Sequence, residues 1–156
     1  MKRRAPLASL AVLVWAVLAP ASAGGQGFVF ESTPRFDVTI VIEPSGDLLI
    51  TETIVQEFGS TERHGIFRNI PNRLRYDNEF DRVYPIDLIS VNASADTPDD
   101  VEIKEENGNF VIRIGDPDTT ITGRHTYEII YRVEGAMNGF DSHDELFWNV
   151  IGNEWE

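Results

Sequence analysis

The stretch FVIRIGDPDTTITGRHTYEIIYRVEG, from Phe110 to Gly135, is the longest in the chain whose side chains alternate in character with a period of two. Phe110, Ile112 and Ile114 share one face of a first strand, Asp116-Pro117-Asp118 breaks it, and Ile121-Thr122-Gly123 turns the backbone into a second. There His125, Tyr127, Ile129, Tyr131 and Val133 point one way while Arg124, Thr126, Glu128 and Arg132 point the other, as a strand buried on one face requires. Only Ile130 departs from the pattern.

The flanking segments repeat this grammar. Immediately upstream, Asn107-Gly108 lies between Val101–Glu106 and Asn109–Gly115, and Asn-Gly supplies the two positive-φ residues of a type I′ hairpin turn. Further upstream, Phe36 to Glu43 places Phe36, Val38, Ile40 and Ile42 on one face. Pro44-Ser45-Gly46-Asp47 forms a loop, and Leu48 to Phe58 returns as the partner strand. Phe80 to Ala93 reads as a strand with Tyr84, Ile86 and Leu88 on one side and Pro85 marking an edge or bulge. After the central stretch come a loop from Ala136 to His143 and a last strand, Asp144 to Ile151, that groups Leu146, Trp148 and Val150. About seven or eight short strands, with no segment of helical period after residue 23, predict an all-β domain: an antiparallel β-sandwich of the Ig-like, Greek-key kind. Ile121, Gly123 and Tyr127 resemble a tyrosine corner, in which the Tyr hydroxyl bonds back to upstream backbone; an ordinary core Tyr is the alternative.

One residue conflicts with its row. Leu48, Ile50, Ile54 and Phe58 form an apolar stripe interrupted by Gln56 and by Glu52, and a buried carboxylate is costly unless paired. The segment from Gly59 to Asn78 is the least regular and carries Arg63, Arg68, Arg73 and Arg75, so it reads mainly as a solvated loop. From it, Arg68 is expected to turn inward and pair with Glu52, its planar fork matching a carboxylate bidentately.

With 156 residues the chain has room for a single core-forming domain. Its 26 acids against 13 Lys plus Arg, a net charge of -13, argue against binding nucleic acid or an anionic membrane surface through a basic patch. The absence of Cys excludes disulfides, thiolate metal sites, a Cys nucleophile and lipidation on Cys. Lys2-Arg3-Arg4, the apolar run Leu7 to Ala19 and the small-residue site Ala21-Ser22-Ala23 form a secretory signal peptide. As a helix that run rises only about 20 Å, short of the roughly 30 Å hydrocarbon core, so cleavage after Ala23 is favoured over an uncleaved anchor. The expected organisation is residues 1–23 as signal, 24–35 as a flexible start in which Phe28-Val29-Phe30 adds a short edge strand, and 36–156 as the β domain, interrupted at its carboxyl end.

Three separated blocks carry a family resemblance. They are Gly65-Ile66-Phe67-Arg68 with Ile70-Pro71; Ile112-Arg113-Ile114-Gly115-Asp116 leading to Gly123, Tyr127, Tyr131 and Gly135; and Asp144-Glu145-Leu146-Phe147-Trp148-Asn149 with Gly152 and Trp155. Together they resemble the predicted bacterial membrane proteins of domain of unknown function 2207. The resemblance implies an exported amino-terminal β domain, followed in the family by transmembrane helices, and it supplies no catalytic residue.

Chemistry is sparse. His64, His125 and His143 are far apart, and no metalloprotease, nucleophile-elbow, P-loop or dinucleotide motif occurs. His125 shares a face with Tyr127 and Ile129 and reads as a hydrogen-bonded structural residue, His143-Asp144-Glu145 as a solvated strand start, and Asp116-Pro117-Asp118 as a plain turn. No cofactor or metal is expected. The reading is a non-catalytic, extracytoplasmic binding module at the cell envelope, its partner a protein or glycan, with membrane attachment through segments outside this chain or an uncleaved leader. Trp148 and Trp155 are its possible binding aromatics, with core packing as their alternative use. A second reading is an envelope hydrolase in which Glu52, Asp144 and Glu145 converge with His64 or His143.

Overall fold

A computed structural model describes residues 30–75 and 78–151, and among them are eleven strands and no helix. The expected signal segment, Phe28 and Val29, and Trp155 lie outside the described residues. No helix among the described residues is long and apolar enough to cross a membrane.

The two hairpins with the clearest turn residues form as their sequences require. β1 (Ser32–Ile42) and β2 (Leu48–Glu57) pair from Ile42 opposite Leu48, with Gly46 at φ 88° in the turn. β7 (Val101–Glu106) and β8 (Asn109–Gly115) close over Asn107 and Gly108, at φ 52° and 79°, the positive values a type I′ turn needs. β9 (Arg124–Val133) lies beside β2, Glu57 opposite Arg124 and Leu48 opposite Val133, and takes β6 (Ile86–Ala93) on its other side. One sheet therefore runs β1-β2-β9-β6. A second runs β3-β8-β7, with β3 (Gly65–Pro71) at its edge. Two short pairs complete the set: β4 (Arg73–Arg75) with β5 (Asp81–Val83), and β10 (Met137–Gly139) with β11 (Asp144–Leu146). Every pairing is antiparallel.

Period-two alternation decides which side chains are buried. Leu48, Ile50, Glu52 and Ile54 of β2 are hidden, as are Tyr127, Ile129, Tyr131 and Val133 of β9. Ile70 of β3 and Phe110, Ile112 and Ile114 of β8 come from the other sheet, and all but Glu52 belong to one hydrophobic cluster. The inward faces of the two larger sheets thus feed a common core.

Several expectations need correction. Gly65–Pro71 is a strand and not a loop: Ile66, Arg68 and Ile70 alternate inward, and each residue has a partner in β8. Arg73 and Arg75 also lie on a strand, while Arg63 makes an isolated bridge with Ile121. Phe80–Ala93 splits at Tyr84-Pro85, because Pro85 has no N–H to give a ladder; its carbonyl accepts from Glu134 N, and Tyr84 N donates to Asn72 O. The expected loop at 136–143 contains β10, and the last strand stops at Leu146, beyond which Phe147 N bonds Ala136 O. The tyrosine corner does not form. Tyr127 Oη is buried in the core without a hydrogen-bond partner among the described residues, and Gly123 donates its N–H to Gly59 O while Phe58 N donates to its carbonyl.

Candidate functional site

Glu52 and Arg68 meet in the core because each falls on the inward parity of its strand, between Ile50 and Ile54 on β2 and between Ile66 and Ile70 on β3. Arg68 Nε donates to Glu52 Oε2 at 2.6 Å and Nη2 to Oε1 at 2.8 Å, with both side chains at most 1% exposed. Tyr131 Oη donates to the same Oε1 at 2.6 Å. The remaining guanidinium protons reach main-chain carbonyls: Nη2 to Val150 O at 2.9 Å, and Nη1 to Asn69 O at 2.6 Å and Ile151 O at 3.4 Å. The ring of Phe36 lies 5.4 Å from the guanidinium carbon. Each of the five arginine N–H groups has an acceptor, so the cluster ties β2, β3, β9 and the segment after β11 together. Burial first, and then the Glu52 anion, push the Tyr131 phenol far above its ordinary pKa, keeping it protonated as a donor. Glu52 thus accepts three hydrogen bonds, two from the cation and one from the phenol, an arrangement suited to holding strands rather than to moving protons.

Beside this cluster, one step along β2 and β3, a cleft of about 690 Å³ opens between the two larger sheets. Ile54 and Phe58 of the β2 segment and Ile66 and Ile114 of the β3–β8 pair give it apolar walls. Thr33 and Gln56 form a polar step, Thr33 Oγ1 donating to Gln56 Oε1 at 2.7 Å. Arg63 and His64 bring basic groups to the lining, and Phe67 and Arg113, cross-strand neighbours on the outward face of β3 and β8, border it, Phe67 being 67% exposed. Among the described residues the one carboxylate in the lining is Glu31, engaged by Arg63 Nη2 at 2.6 Å. The mouth is braced from the turn after β8. Asp116 accepts from Asp118 N and Thr119 Oγ1, bonds that hold its carboxyl below the usual range, with His64 and Arg113 contributing charge. Thr119 O in turn accepts from His64 Nδ1 at 3.0 Å, which leaves Nε2 facing away from that bond.

A glycine pair also lines the cleft. Gly65 and Gly115 are opposite one another across the β3–β8 ladder at φ 140° and 139°. A Cβ on Gly65 would lie 1.9 Å from Ile114 O, and one on Gly115 the same distance from His64 O. Only residues without a side chain let the two backbones cross this closely.

The other residues singled out in the sequence are placed as follows. His125 is structural: Thr97 Oγ1 meets Nδ1 at 2.6 Å and Nε2 donates to Thr122 O at 2.9 Å. Trp148 is half-buried, edge-on to Tyr84 at 5.6 Å between ring centres, and packs against the core rather than forming an open platform. Asp144 and Glu145 are exposed on β11, and His143 stacks on Phe140. They do not join Glu52, which is in the core, or His64, which is at the cleft. Among the described residues no three His, Cys, Asp or Glu groups come together as a metal site. Sequence reasoning missed the cleft, because its walls come from four segments far apart in the chain. Ile66 and Ile70, spaced for one face of a strand, signal β3 itself but not the cleft beside it, and the inward Arg68 between them interrupts even that pattern.

The chain is 28% identical over 127 residues to the uncharacterized protein YciQ of Escherichia coli (strain K12), covering 80% of this chain and 20% of that protein. The chain thus spans about a fifth of the curated relative it matches. No solved structure matches it. Residues 32–156 match the model of the predicted membrane protein (DUF2207) N-terminal domain, and the chain belongs to that family.

Proposed function

We propose that this β domain is a non-catalytic binding module, exported to the extracytoplasmic side of the membrane, which holds an envelope component in the cleft between its sheets. The observation that carries the reading is the character of that cleft. Its walls are largely apolar, its rim carries basic groups, and the single lining carboxylate among the described residues is already paired with Arg63. Concave, mainly apolar sites with a few polar groups at the rim are the usual form of a ligand pocket. Hydrolysis by paired acids needs two carboxylates across one space, whereas here Glu52 is consumed by Arg68 and Tyr131, and Asp144 and Glu145 stand on β11. We further infer a Greek-key, Ig-like sandwich, since the chain passes between the two larger sheets four times, from β2 to β3, β3 to β6, β6 to β7 and β8 to β9, while the two share a core.

The chain has no Cys, so one introduced thiol reports its surroundings without background. Phe67→Cys at the cleft rim should react with a membrane-impermeant maleimide in intact spheroplasts. Carrying a benzophenone, it should cross-link an envelope component that Glu105→Cys, on exposed β7, does not. Labelling only after lysis would overturn the export, and equal adducts from both positions would overturn the cleft as the binding site.

A further inference from the structure

Deepening that reading, and resting on it, we infer that the cleft takes a monoacyl amphiphile with an anionic head, the acyl chain lying between the sheets and the head at Arg113 and His64. The volume, about 690 Å³, is in the range of sites that enclose a small ligand. Ile66 is the part-exposed apolar wall, backed by Ile54, Phe58 and Ile114, each at most 1% exposed, and these four offer hydrocarbon contacts and no charged partner. A glycan placed against them would leave hydroxyls without hydrogen bonds, whereas an acyl chain loses nothing on leaving water.

The mouth chooses the head. In a chain of net charge -13, the cleft lining carries, among the described residues, Arg63, Arg113 and His64 against Glu31. Arg63 is committed, with Nε and Nη2 on Glu31 and Nη1 on Glu62 O. Arg113 projects from the face of β8 opposite to Ile114, where it gives Nη1 to Glu102 of the neighbouring strand at 3.1 Å and is 37% exposed, so an acid at the rim meets its Nε and Nη2 from outside the sheet. His64 has spent Nδ1 on Thr119 O, so Nε2 is its available atom. Glu102 and Asp116 flank these cations from outside the lining, and each is already engaged, Glu102 by Lys104 and Arg113 and Asp116 by the turn it braces. Gln56, whose Oε1 is taken by Thr33, adds an amide N–H at the polar step. Apolar depth with cations confined to the rim matches a ligand that is apolar along its length and acidic at one end.

The test uses the full chain and the fluorescent fatty acid 11-(dansylamino)undecanoate, with myristate as competitor and monomyristoylglycerol as the uncharged control. Binding with one site per chain, displaced by myristate and unaffected by chitotetraose, is expected. Arg113→Glu, an exposed change that leaves the fold intact by circular dichroism, should weaken myristate by about tenfold or more and monomyristoylglycerol by much less. Ile66→Glu should abolish both. If Ile66→Glu unfolds the chain, Thr33→Trp, which narrows the cleft from β1, is the substitute and should also abolish both. Absence of binding by the natural chain, or equal myristate affinity in folded Arg113→Glu, would overturn the inference. If the amphiphile fails while Phe67→Cys still gives its site-specific adduct, the ligand class falls and the binding module stands. If instead the cysteine reacts only after lysis, it is the exported module that fails.

Discussion

Glu52 sits in an otherwise apolar row, and what makes it tolerable is that its partner arrives from the opposite sheet on a strand of matching parity. A buried pair of this kind contributes little net stability as a unit, yet removing one member strands the other in a medium that cannot solvate it. Arg68→Leu should therefore cost about 3 to 5 kcal/mol in a urea melt. Arg75→Leu, at an exposed 3.4 Å pair with Asp81, should stay within about 0.5 kcal/mol. Equal, small losses would mean that the pair is not the clamp described. The tyrosines extend the comparison. Tyr131→Phe removes a donor from Glu52 and should destabilise by about 1 to 3 kcal/mol, whereas Tyr127→Phe deletes a buried hydroxyl with no described partner and should be neutral or mildly stabilising. A loss at Tyr127 as large as that at Tyr131 would contradict the assignment of their hydroxyls.

At the scale of elements, β3 stays attached to β8 because Gly65 and Gly115 permit a backbone approach that any Cβ would block. Gly115→Ala should cost more than about 3 kcal/mol, since the added carbon meets a main-chain oxygen that cannot rotate away. Gly108→Ala is the internal reference. It too has a positive φ, but its Cβ would meet Arg73 Cβ at 3.4 Å, an ordinary contact, so a loss of about 1 kcal/mol is expected. Denaturant melts of the two variants give the ranking, and near-equal values would remove the close crossing as the cause. The contrast also shows what the sequence could display. The Asn107-Gly108 and Pro44–Asp47 hairpins are legible because turn chemistry and alternation are local. β3 was not, since an inward Arg68 breaks the apolar alternation that identifies a strand, and β4, β5, β10 and β11 are three residues each, too short to establish a period. The Glu52–Arg68 pair could be anticipated from the cost of a lone buried acid. The cleft could not, because it exists only after β1, β2, β3 and β8 have been brought together.

Across the whole molecule, one core carries Tyr84, Tyr127 and Tyr131, three of the four tyrosines in the chain. Burial pushes all three phenols up, Tyr127 to about 12 and Tyr131 beyond it, while the nearby Arg82 partly offsets the rise at Tyr84. In the unfolded chain these phenols ionise near their ordinary value, about 10. Above that pH the unfolded state holds fewer protons than the folded one, so stability falls as pH rises. Below about pH 10 both states keep the phenols protonated, and their contribution is fully present. The net charge of -13, already repulsive, grows more negative over the same interval. Alkaline unfolding should therefore be cooperative. Tyrosinate absorbance near 295 nm should account for at most one tyrosine before the transition and rise for the remainder together with the loss of β-sheet circular dichroism. If three or more tyrosines titrate near pH 10 while the β-sheet signal is unchanged, the phenols are open to solvent and the two sheets do not enclose them.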